Sequence, residues 1–355
     1  MAFCIDTSSV RTRWIIGVAG VLLVLCLAAG AWFAEQYYRL EVCNFESVDG
    51  ESHGYYVTPD MSADSLLCLM QQDYHIASLT DWRLHQRHLH YSQPKVGYYL
   101  SPPRMGDRLL IHRLQAGIET PVRLTWTNTV RTRSHLARVL SGQLLLDSAE
   151  LQCRLDSAGY LRRYDLTPET AVCMFMPDTY EVFWTVSADQ LFERMHKEYK
   201  HFWNNQRQQK ADQMRLNREQ VATIASIVES ESNKPVEYPL IASLYINRLR
   251  KGMLLQACPT VIYATGNFRL RRVLKRHLAI DSPYNTYKYP GLPPGPIRCA
   301  YGSTIDSVLN APPTSYLYMC ANPDFSGTHI FSSDYRKHAA TARRYQRELN
   351  LRKIK

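Results

Sequence analysis

Residues 14–34, WIIGVAGVLLVLCLAAGAWFA, contain no charged side chain. About 20 apolar residues are enough for a helix to cross the hydrocarbon core of a bilayer. Arg11 and Arg13 precede the run and Glu35 follows it. Because basic residues mark the cytoplasmic side of a membrane span, the sequence predicts a cytoplasmic N-terminus and one transmembrane helix within residues 1–34. Everything after residue 34 is then expected outside the cytoplasm.

Two other structures fit the same apolar run. The small residues Ala29-Gly30-Ala31 would suit cleavage of a signal peptide, and a buried helix of a soluble protein is a further alternative. The run is longer than a usual signal-peptide core, which favours a retained anchor.

The exported part of the chain is basic. The formal net charge of the whole chain is +10, and nearly all of it lies after residue 34. A basic surface suits an anionic neighbour, either phospholipid head groups or a polyanionic polymer of the cell wall. The alternative is a solvated surface without a partner. Nucleic acid is not expected as a partner outside the cytoplasm.

Residues 35–53 are predicted to form a linker, and residues 54–118 a small module. The strands of this module are expected at GYYVTP and KVGYYLSP, with helices at MSADSLLCLMQQD and SLTDWRLHQRHL between them. A further helix should end at Gly117. A strand–helix–helix–strand unit of this size fits a binding module, although it could equally serve only to pack against the larger domain.

The segment IASIVESES carries two glutamates at the end of an apolar helix. Asn217 and Gln220 form a capping-box pattern that predicts the start of this helix. At about 100° per residue, Glu231 continues the stripe of Ile224, and Glu229 lies on another side. We therefore expect Glu231 in the interior or at the floor of a cleft, and Glu229 nearer solvent or a neighbouring polar group. Burial would raise the pKa of Glu231 and suit it to donate a proton, whereas the alternative is an ordinary ion pair at a helix end.

A second helix is predicted over VEYPLIASLYINRLRKG, and loops rich in Pro, Gly, Tyr and Asn follow it. Such loops often build binding clefts, and aromatic rings with amide groups suit a sugar polymer. The alternative is that these Pro and Gly residues only shape turns. No Cys or His spacing typical of a zinc site is present, so neither a metal nor a cofactor is expected.

Four segments in order, IASIVESES, YINRLRKGMLLQACPTVIYATG, SPYNTYKYPGLPPGPI and THIFSSDYRKH, resemble the YceG-like endolytic murein transglycosylases, the MltG family. The resemblance covers roughly residues 54–350. It implies an α+β fold with an N-terminal transmembrane helix, a LysM-like module at residues 54–118 and a larger mixed α+β catalytic domain at residues 119–355, with the motifs in residues 217–338. It also implies an inner-membrane anchor and a periplasmic catalytic domain.

The resemblance implies that Glu231, the second acid of the E-x-E motif, is catalytic and that Glu229 supports it. Cys258 stands where the family usually has Asp, which leaves any charge role of that position in doubt. The substrate-binding residues that the resemblance implies are Gln256, Thr260, Tyr263, Tyr284, Asn285, Tyr287 and His329.

The implied reaction is cleavage of the bond between N-acetylmuramic acid and N-acetylglucosamine in nascent glycan strands, leaving 1,6-anhydro ends and ending strand elongation. Its partners would be peptidoglycan strands, the inner membrane and, as candidates, peptidoglycan synthases. Two alternatives stay open. One is a hydrolytic muramidase in which Asp281 or Asp306 activates water, and the other is a non-catalytic scaffold that binds peptidoglycan.

Overall fold

The computed structural model describes residues 7–270 and 272–352, with side chains from residue 14 onward. Its first helix, α1, spans Thr7–Glu41. The segment Trp14–Glu41 has a stretch of mean hydropathy 2.5, and none of that stretch is buried against the protein. This exposure argues against a helix buried in a soluble core. The segment is long and apolar enough to cross a membrane, and whether it is retained as an anchor stays a prediction.

The described residues up to 122, together with 183–185, form one structural unit. Three antiparallel strands make one sheet in the order β3-β1-β5, and β2 pairs antiparallel with β4, with Tyr55 opposite Tyr99. The elements after α1 are β1 (Phe45–Ser47), β2 (His53–Val57), α2 (Ala63–Asp73), β3 (Tyr74–Ile76), α3 (Leu79–His88), β4 (Gly97–Ser101), β5 (Arg104–Met105) and α4 (Asp107–Ala116).

The predicted strand–helix–helix–strand order is present as β2, α2, α3 and β4. Ser62 caps α2 by accepting a hydrogen bond from the backbone of Ser65, and Gly117 ends α4 with a φ of 73°. The apolar sides of both sheets and of α2 to α4 form one buried core around Phe45, Met70 and Ile111. The likeness of this unit to a LysM module stays a prediction.

Residues 35–53 differ from the predicted linker. Helix α1 continues to Glu41, and β1 at Phe45–Ser47 is the central strand of the three-stranded sheet. Phe45 is fully buried against Tyr74 and Trp82. A three-residue strand is too short to show a pattern in the sequence, and tertiary packing alone identifies it.

The second unit comprises residues 123–182 and the described residues after 185. It is mainly helical, with two small strand pairs, β6 with β7 and β8 with β9, the second of which is antiparallel. Its elements are β6 (Val122–Thr125), α5 (Arg133–Ser141), α6 (Ser148–Asp156), α7 (Ala158–Leu161), β7 (Thr179–Val182), α8 (Ala188–Phe202), α9 (Asn205–Met214), α10 (Arg218–Glu231), α11 (Tyr238–Arg250), α12 (Cys258–Thr265), α13 (Lys275–Leu278), α14 (Gly302–Leu309), β8 (Tyr318–Ala321), β9 (His329–Ser332) and α15 (Tyr335–Leu351).

Helix α10 is the central helix of this unit. Its predicted capping box is present, because Asn217 and Gln220 each accept a hydrogen bond from the backbone N–H of the other. Every residue from Val221 to Glu229 is buried, with α11, α12 and α14 packed around the helix. The buried hydroxyl of Ser226 accepts a hydrogen bond from the backbone N–H of Ile297, which fastens the proline-rich loop to the helix. These neighbouring helices and this loop fix the direction in which the last turn of α10 points.

Candidate active site

The last residue of α10, Glu231, lines a cleft of about 320 Å³. The cleft is bounded by α11, the start of α12, the β8–β9 hairpin and α15. Its lining residues are Glu231, Leu244, Tyr245, Arg248, Leu255, Gln256, Cys258, Tyr287, Met319, Cys320, Ala321, His329 and His338.

Glu231 is partly exposed, and its carboxylate accepts a hydrogen bond of 2.8 Å from the hydroxyl of Tyr245. Loss of hydration raises the pKa of Glu231 from 4.5 to about 7, although the Tyr245 hydroxyl and electrostatic interactions with His329 and Arg248 oppose the rise. The carboxyl group is therefore divided between its protonated and ionised forms near neutral pH. A group of this kind can both give and take a proton.

Arg248 is 8% exposed and supports the wall of the cleft. Its Nε donates to the backbone carbonyl of Leu317 (2.6 Å), and its Nη1 donates to that of Leu255 (2.8 Å). A more distant bond of 3.4 Å reaches Oε1 of Gln256. Arg248 thus ties α11 both to the segment before α12 and to the residue that precedes β8, and adds a fixed positive charge near Glu231.

His329 is held by Glu237. The backbone N–H of His329 donates to Oε1 of Glu237 (2.5 Å), and the ring Nδ1 lies 3.0 Å from Oε2. The hydroxyl of Ser232 donates to the same Oε2 (2.8 Å). Burial would raise the pKa of Glu237, but these hydrogen bonds hold it below its ordinary value. The ionised Glu237 therefore orients the imidazole at the edge of the cleft.

Four of the predicted site residues meet in this cleft: Glu231, Gln256, Tyr287 and His329. Cys258 joins them, with its Sγ 3.2 Å from the hydroxyl of Tyr287. Burial and the nearby charge of Glu231 raise the pKa of the Cys258 thiol, so it remains protonated near neutral pH. A thiol at this position therefore contributes no negative charge to the cleft.

Thr260 and Asn285 are buried residues, with no exposed surface through which to touch a substrate. The Thr260 hydroxyl lies 2.8 Å from the hydroxyl of Thr286 and donates to the carbonyl of Ala257. The Asn285 amide donates to two loop carbonyls and accepts from the backbone N–H of Tyr287. In this structure both side chains bond to neighbouring protein groups beside the cleft, and their substrate-binding role stays a prediction.

Tyr263 and Tyr284 lie outside the residues that line the cleft. Their rings pack on each other with centroids 4.6 Å apart, and Phe268 lies 6.0 Å from Tyr263. Both tyrosines are partly exposed. Their binding role stays a prediction, and it would concern a part of a long substrate beyond the acid.

The sequence predicted Glu229 nearer solvent or a neighbouring polar group, and at 4% exposure it has the second of these positions. Its carboxylate accepts hydrogen bonds from the Asn128 amide (3.0 Å) and from the backbone N–H of Tyr301 (2.9 Å), at the start of α14. Burial raises the pKa of Glu229, and these donors limit the rise. Helix α10 is covered on all sides from Val221 to Glu229, so the side that carries Glu229 faces other protein groups rather than solvent.

Tyr245, Arg248 and His338 line the cleft, and the sequence analysis did not identify them as site residues. Tyr245 and Arg248 are three residues apart on α11, which places them on one face of the helix. The signal for these two site residues in the sequence was a tyrosine and an arginine together on an otherwise apolar helix face. Their partners come from distant segments, which the sequence does not place.

Asp281 and Asp306, the alternative second acids, do not line this cleft. Asp306 forms a two-pronged ion pair with Arg207 (2.7 and 2.8 Å), and Asp281 binds the Lys288 ammonium at 2.7 Å. Among the described residues of the cleft lining, Glu231 is the only carboxylate. No three His, Cys, Asp or Glu side chains in the described part of the chain come together as a candidate metal site.

Comparison with known proteins finds a family that matches most of the chain. A model of the YceG-like family matches residues 55–344. A Bacillus subtilis protein named endolytic murein transglycosylase is 42% identical over 123 residues, which are 35% of this chain and 33% of that protein. A Streptococcus pneumoniae protein of the same name is 38% identical over 107 residues, 29% of this chain and 19% of its own. The matches thus span a third or less of these curated relatives.

The fold also has a counterpart among solved structures. A crystal structure of a YceG-like protein from Listeria monocytogenes superposes with a TM-score of 0.55 at 26% identity, covering 82% of this chain and 98% of that one.

Proposed function

The chain belongs to the YceG-like family, and on that premise we propose that it is an endolytic murein transglycosylase with Glu231 as its catalytic acid and base. The observation that carries the proposal is the raised pKa and the position of Glu231. It is a carboxyl group with a pKa of about 7 at the floor of a cleft, and a tyrosine hydroxyl orients it. The names of the curated relatives supply the substrate, peptidoglycan.

The proposed reaction needs one carboxyl group. Protonated Glu231 gives its proton to the glycosidic oxygen as the bond from that oxygen to the anomeric carbon of N-acetylmuramic acid breaks. The C6 hydroxyl of the same sugar then attacks the anomeric carbon and returns a proton to Glu231. The product has a 1,6-anhydro ring, and no water is consumed. Because the nucleophile belongs to the substrate, proximity lowers the barrier, by up to about 7–11 kcal/mol in favourable intramolecular reactions.

The cleft residues have complementary tasks in this scheme. The Tyr245 hydroxyl stabilises the ionised form of Glu231 after proton donation. His329, oriented by Glu237, and the side chains of Gln256 and Tyr287 supply hydrogen-bonding groups for sugar hydroxyl and acetamido groups. Arg248 keeps the two segments that carry these groups in place.

In the cell we propose that α1 anchors the protein in the inner membrane, with the described residues after it in the periplasm. Cleavage near the membrane would end the elongation of nascent strands, and peptidoglycan synthases are the candidate partners. The first unit would bind glycan strands. Tyr56, which is 48% exposed, packs on Tyr98 (4.7 Å) and Trp184 (5.1 Å), and such an aromatic surface can stack against sugar rings.

The test is digestion of purified glycan strands with the full chain, followed by mass spectrometry of the new ends. A transglycosylase leaves ends one water lighter than those of a hydrolytic muramidase. Ends of hydrolytic mass would reject the lytic mechanism. Intact strands after long incubation, with a protein that still binds them, would instead support a scaffold.

A further inference from the structure

Two arginines, Arg131 and Arg298, lie on two loops of the second unit that a backbone hydrogen bond joins. The backbone N–H of Cys299 donates to the carbonyl of Val130 (2.9 Å) and joins the loop before α5 to the loop before α14. Arg131 follows Val130 in the sequence, and Arg298 precedes Cys299. Burial, and then the charge of Arg131, lower the pKa of Arg298, and burial lowers that of Arg131. Two like charges are therefore held close together and partly out of water.

Neither guanidinium has an anionic partner of its own among the described residues. The Nε of Arg298 is buried without a hydrogen-bond acceptor. Glu229 is the negative charge that acts on Arg298, but its two oxygens accept from Asn128 and from the backbone of Tyr301. The guanidinium carbon of Arg131 lies over the Phe268 ring, 5.2 Å from its centroid, so its neighbour on that side is an aromatic ring rather than an anion.

An unpaired charge that is partly buried costs free energy, and a second charge of the same sign adds to the cost. A bound anion removes both penalties. The guanidinium fork matches the two oxygens of a carboxylate or a phosphate, and two such forks make a strong oxyanion site. We propose that Arg131 and Arg298 form a subsite for an oxyanion carried by the glycan strand.

The subsite lies beside α10, the helix that carries Glu231, and outside the residues that line the Glu231 cleft. The loops that carry Arg131 and Arg298 both contact Glu229, through Asn128 and Tyr301, and Glu229 lies two residues before the catalytic acid on α10. A murein strand offers two kinds of oxyanion. Its peptide stems carry carboxylates, and a strand still linked to its lipid carrier has phosphate at its reducing end. The inference therefore rests on the proposed function and deepens it, because it assigns recognition of an anionic group beside the sugars.

The experiment compares Arg131→Gln and Arg298→Gln with the wild type as full chains in detergent. Arg343→Gln is the matched control, since it removes one charge from an exposed position on α15. Three substrates are used: strands with free stem carboxylates and a reducing-end phosphate, the same strands with the carboxylates amidated, and the same strands with the phosphate removed. Both kcat and KM are measured on each substrate.

We expect each arginine variant to lose about 10-fold or more in kcat/KM, mainly through KM, on the fully anionic strand. Arg343→Gln should match the wild type. If amidation abolishes the difference between variant and wild type, the ligand is a stem carboxylate. If removal of the phosphate abolishes it, the ligand is the reducing-end phosphate. Equal losses on all three strands, or no loss on any, would overturn the subsite.

Failure of the proposed function would look different. If the wild type cleaves no strand, the same variants are compared by fluorescence anisotropy with labelled strands, which measures binding alone. If binding depends on the arginines and on one of the two anionic groups, the result would support the subsite and reject the enzyme assignment. Binding that is identical in all variants would overturn the subsite.

Discussion

The hydroxyl of Tyr245 donates a hydrogen bond of 2.8 Å to Oε1 of Glu231, across the interface between α11 and the end of α10. Tyr245 is fully buried, and burial beside Glu231 raises its own pKa far above the ordinary value. It therefore acts only as a donor. The bond stabilises ionised Glu231 and keeps the pKa of that group near 7 rather than higher.

Tyr245→Phe should shift the alkaline limb of the pH–rate profile to higher pH. Without the donor, the ionised form of Glu231 loses stabilisation, so its pKa rises and the acid stays protonated to a higher pH. The rate at the optimum should also fall, because the carboxylate is less well oriented. The measurement is kcat/KM on glycan strands between pH 5 and 9.

Tyr199→Phe is the matched control, because Tyr199 is also buried and donates to a carboxylate, Glu219, at 3.2 Å. It should lower thermal stability and leave the pH profile in place. A profile that moves equally in both variants would contradict a specific link between Tyr245 and the acid.

Stability should depend on pH through Glu231. Its pKa is raised from 4.5 to about 7 in the folded chain. Above pH 7 the carboxylate is ionised in both states and the folded state bears the cost of burying it. As the pH falls through 7 the folded state takes up the proton first, so the free energy of unfolding rises until the pH reaches about 4.5. The change is at most about 3 kcal/mol, since water reaches part of the side chain.

The measurement compares wild type with Glu231→Gln, so that the shifts of Glu229 and Glu237 cancel. At pH 8 the variant should melt at a higher temperature than the wild type, and the difference should shrink or reverse near pH 4.5. A constant difference across this range would mean that Glu231 has an ordinary pKa.

The pattern of the sequence predicted the capping box of α10 and the placement of Glu231 in a cleft. Both depend on local information: the box involves residues three apart, and Glu231 continues the apolar stripe of its own helix. The sequence left two positions open for Glu229, because periodicity does not report how many sides of a helix are buried, and α10 is covered by several neighbouring helices. Thr260 and Asn285 show a second limit, since the sequence does not tell whether a polar side chain near a cleft bonds to substrate or to backbone.

Glu237 should act on catalysis only through His329. In Glu237→Gln the amide nitrogen can take the place of Oε2. An amide nitrogen cannot accept a hydrogen bond from the imidazole Nδ1, so the ring loses its orientation. A lost charge-assisted hydrogen bond of this kind corresponds to about a 10-fold fall in kcat/KM or more. His329→Ala and the double variant complete a cycle. The double variant should be no worse than His329→Ala, and a further 10-fold loss would show that Glu237 acts on another group.

Tyr56→Ala should weaken attachment to intact peptidoglycan without slowing bond cleavage. Tyr56 is exposed beside Tyr98 and Trp184, and loss of one ring from a stacking surface commonly costs about 0.5–1.5 kcal/mol. The measurement is co-sedimentation with insoluble sacculi, alongside kcat on short soluble strands. Leu69→Ala, also exposed in this unit, is the control. Unchanged sedimentation in Tyr56→Ala would remove glycan binding from this surface.

Glu231→Gln should retain the fold and glycan binding but lose cleavage. The amide has nearly the same size as the acid, yet it cannot deliver and recover a proton, and one acid–base group is worth about 10²–10⁴-fold in rate. Glu229→Gln is the comparison. The amide replaces one of the two acceptor oxygens, so the donor of Asn128 or of Tyr301 is left without its acceptor. This should lower the free energy of unfolding by about 1–3 kcal/mol, while the folded fraction stays active. Circular dichroism, melting temperature and single-turnover cleavage separate the two effects. An active Glu231→Gln beside a folded but inactive Glu229→Gln would reverse the assignment of the acid.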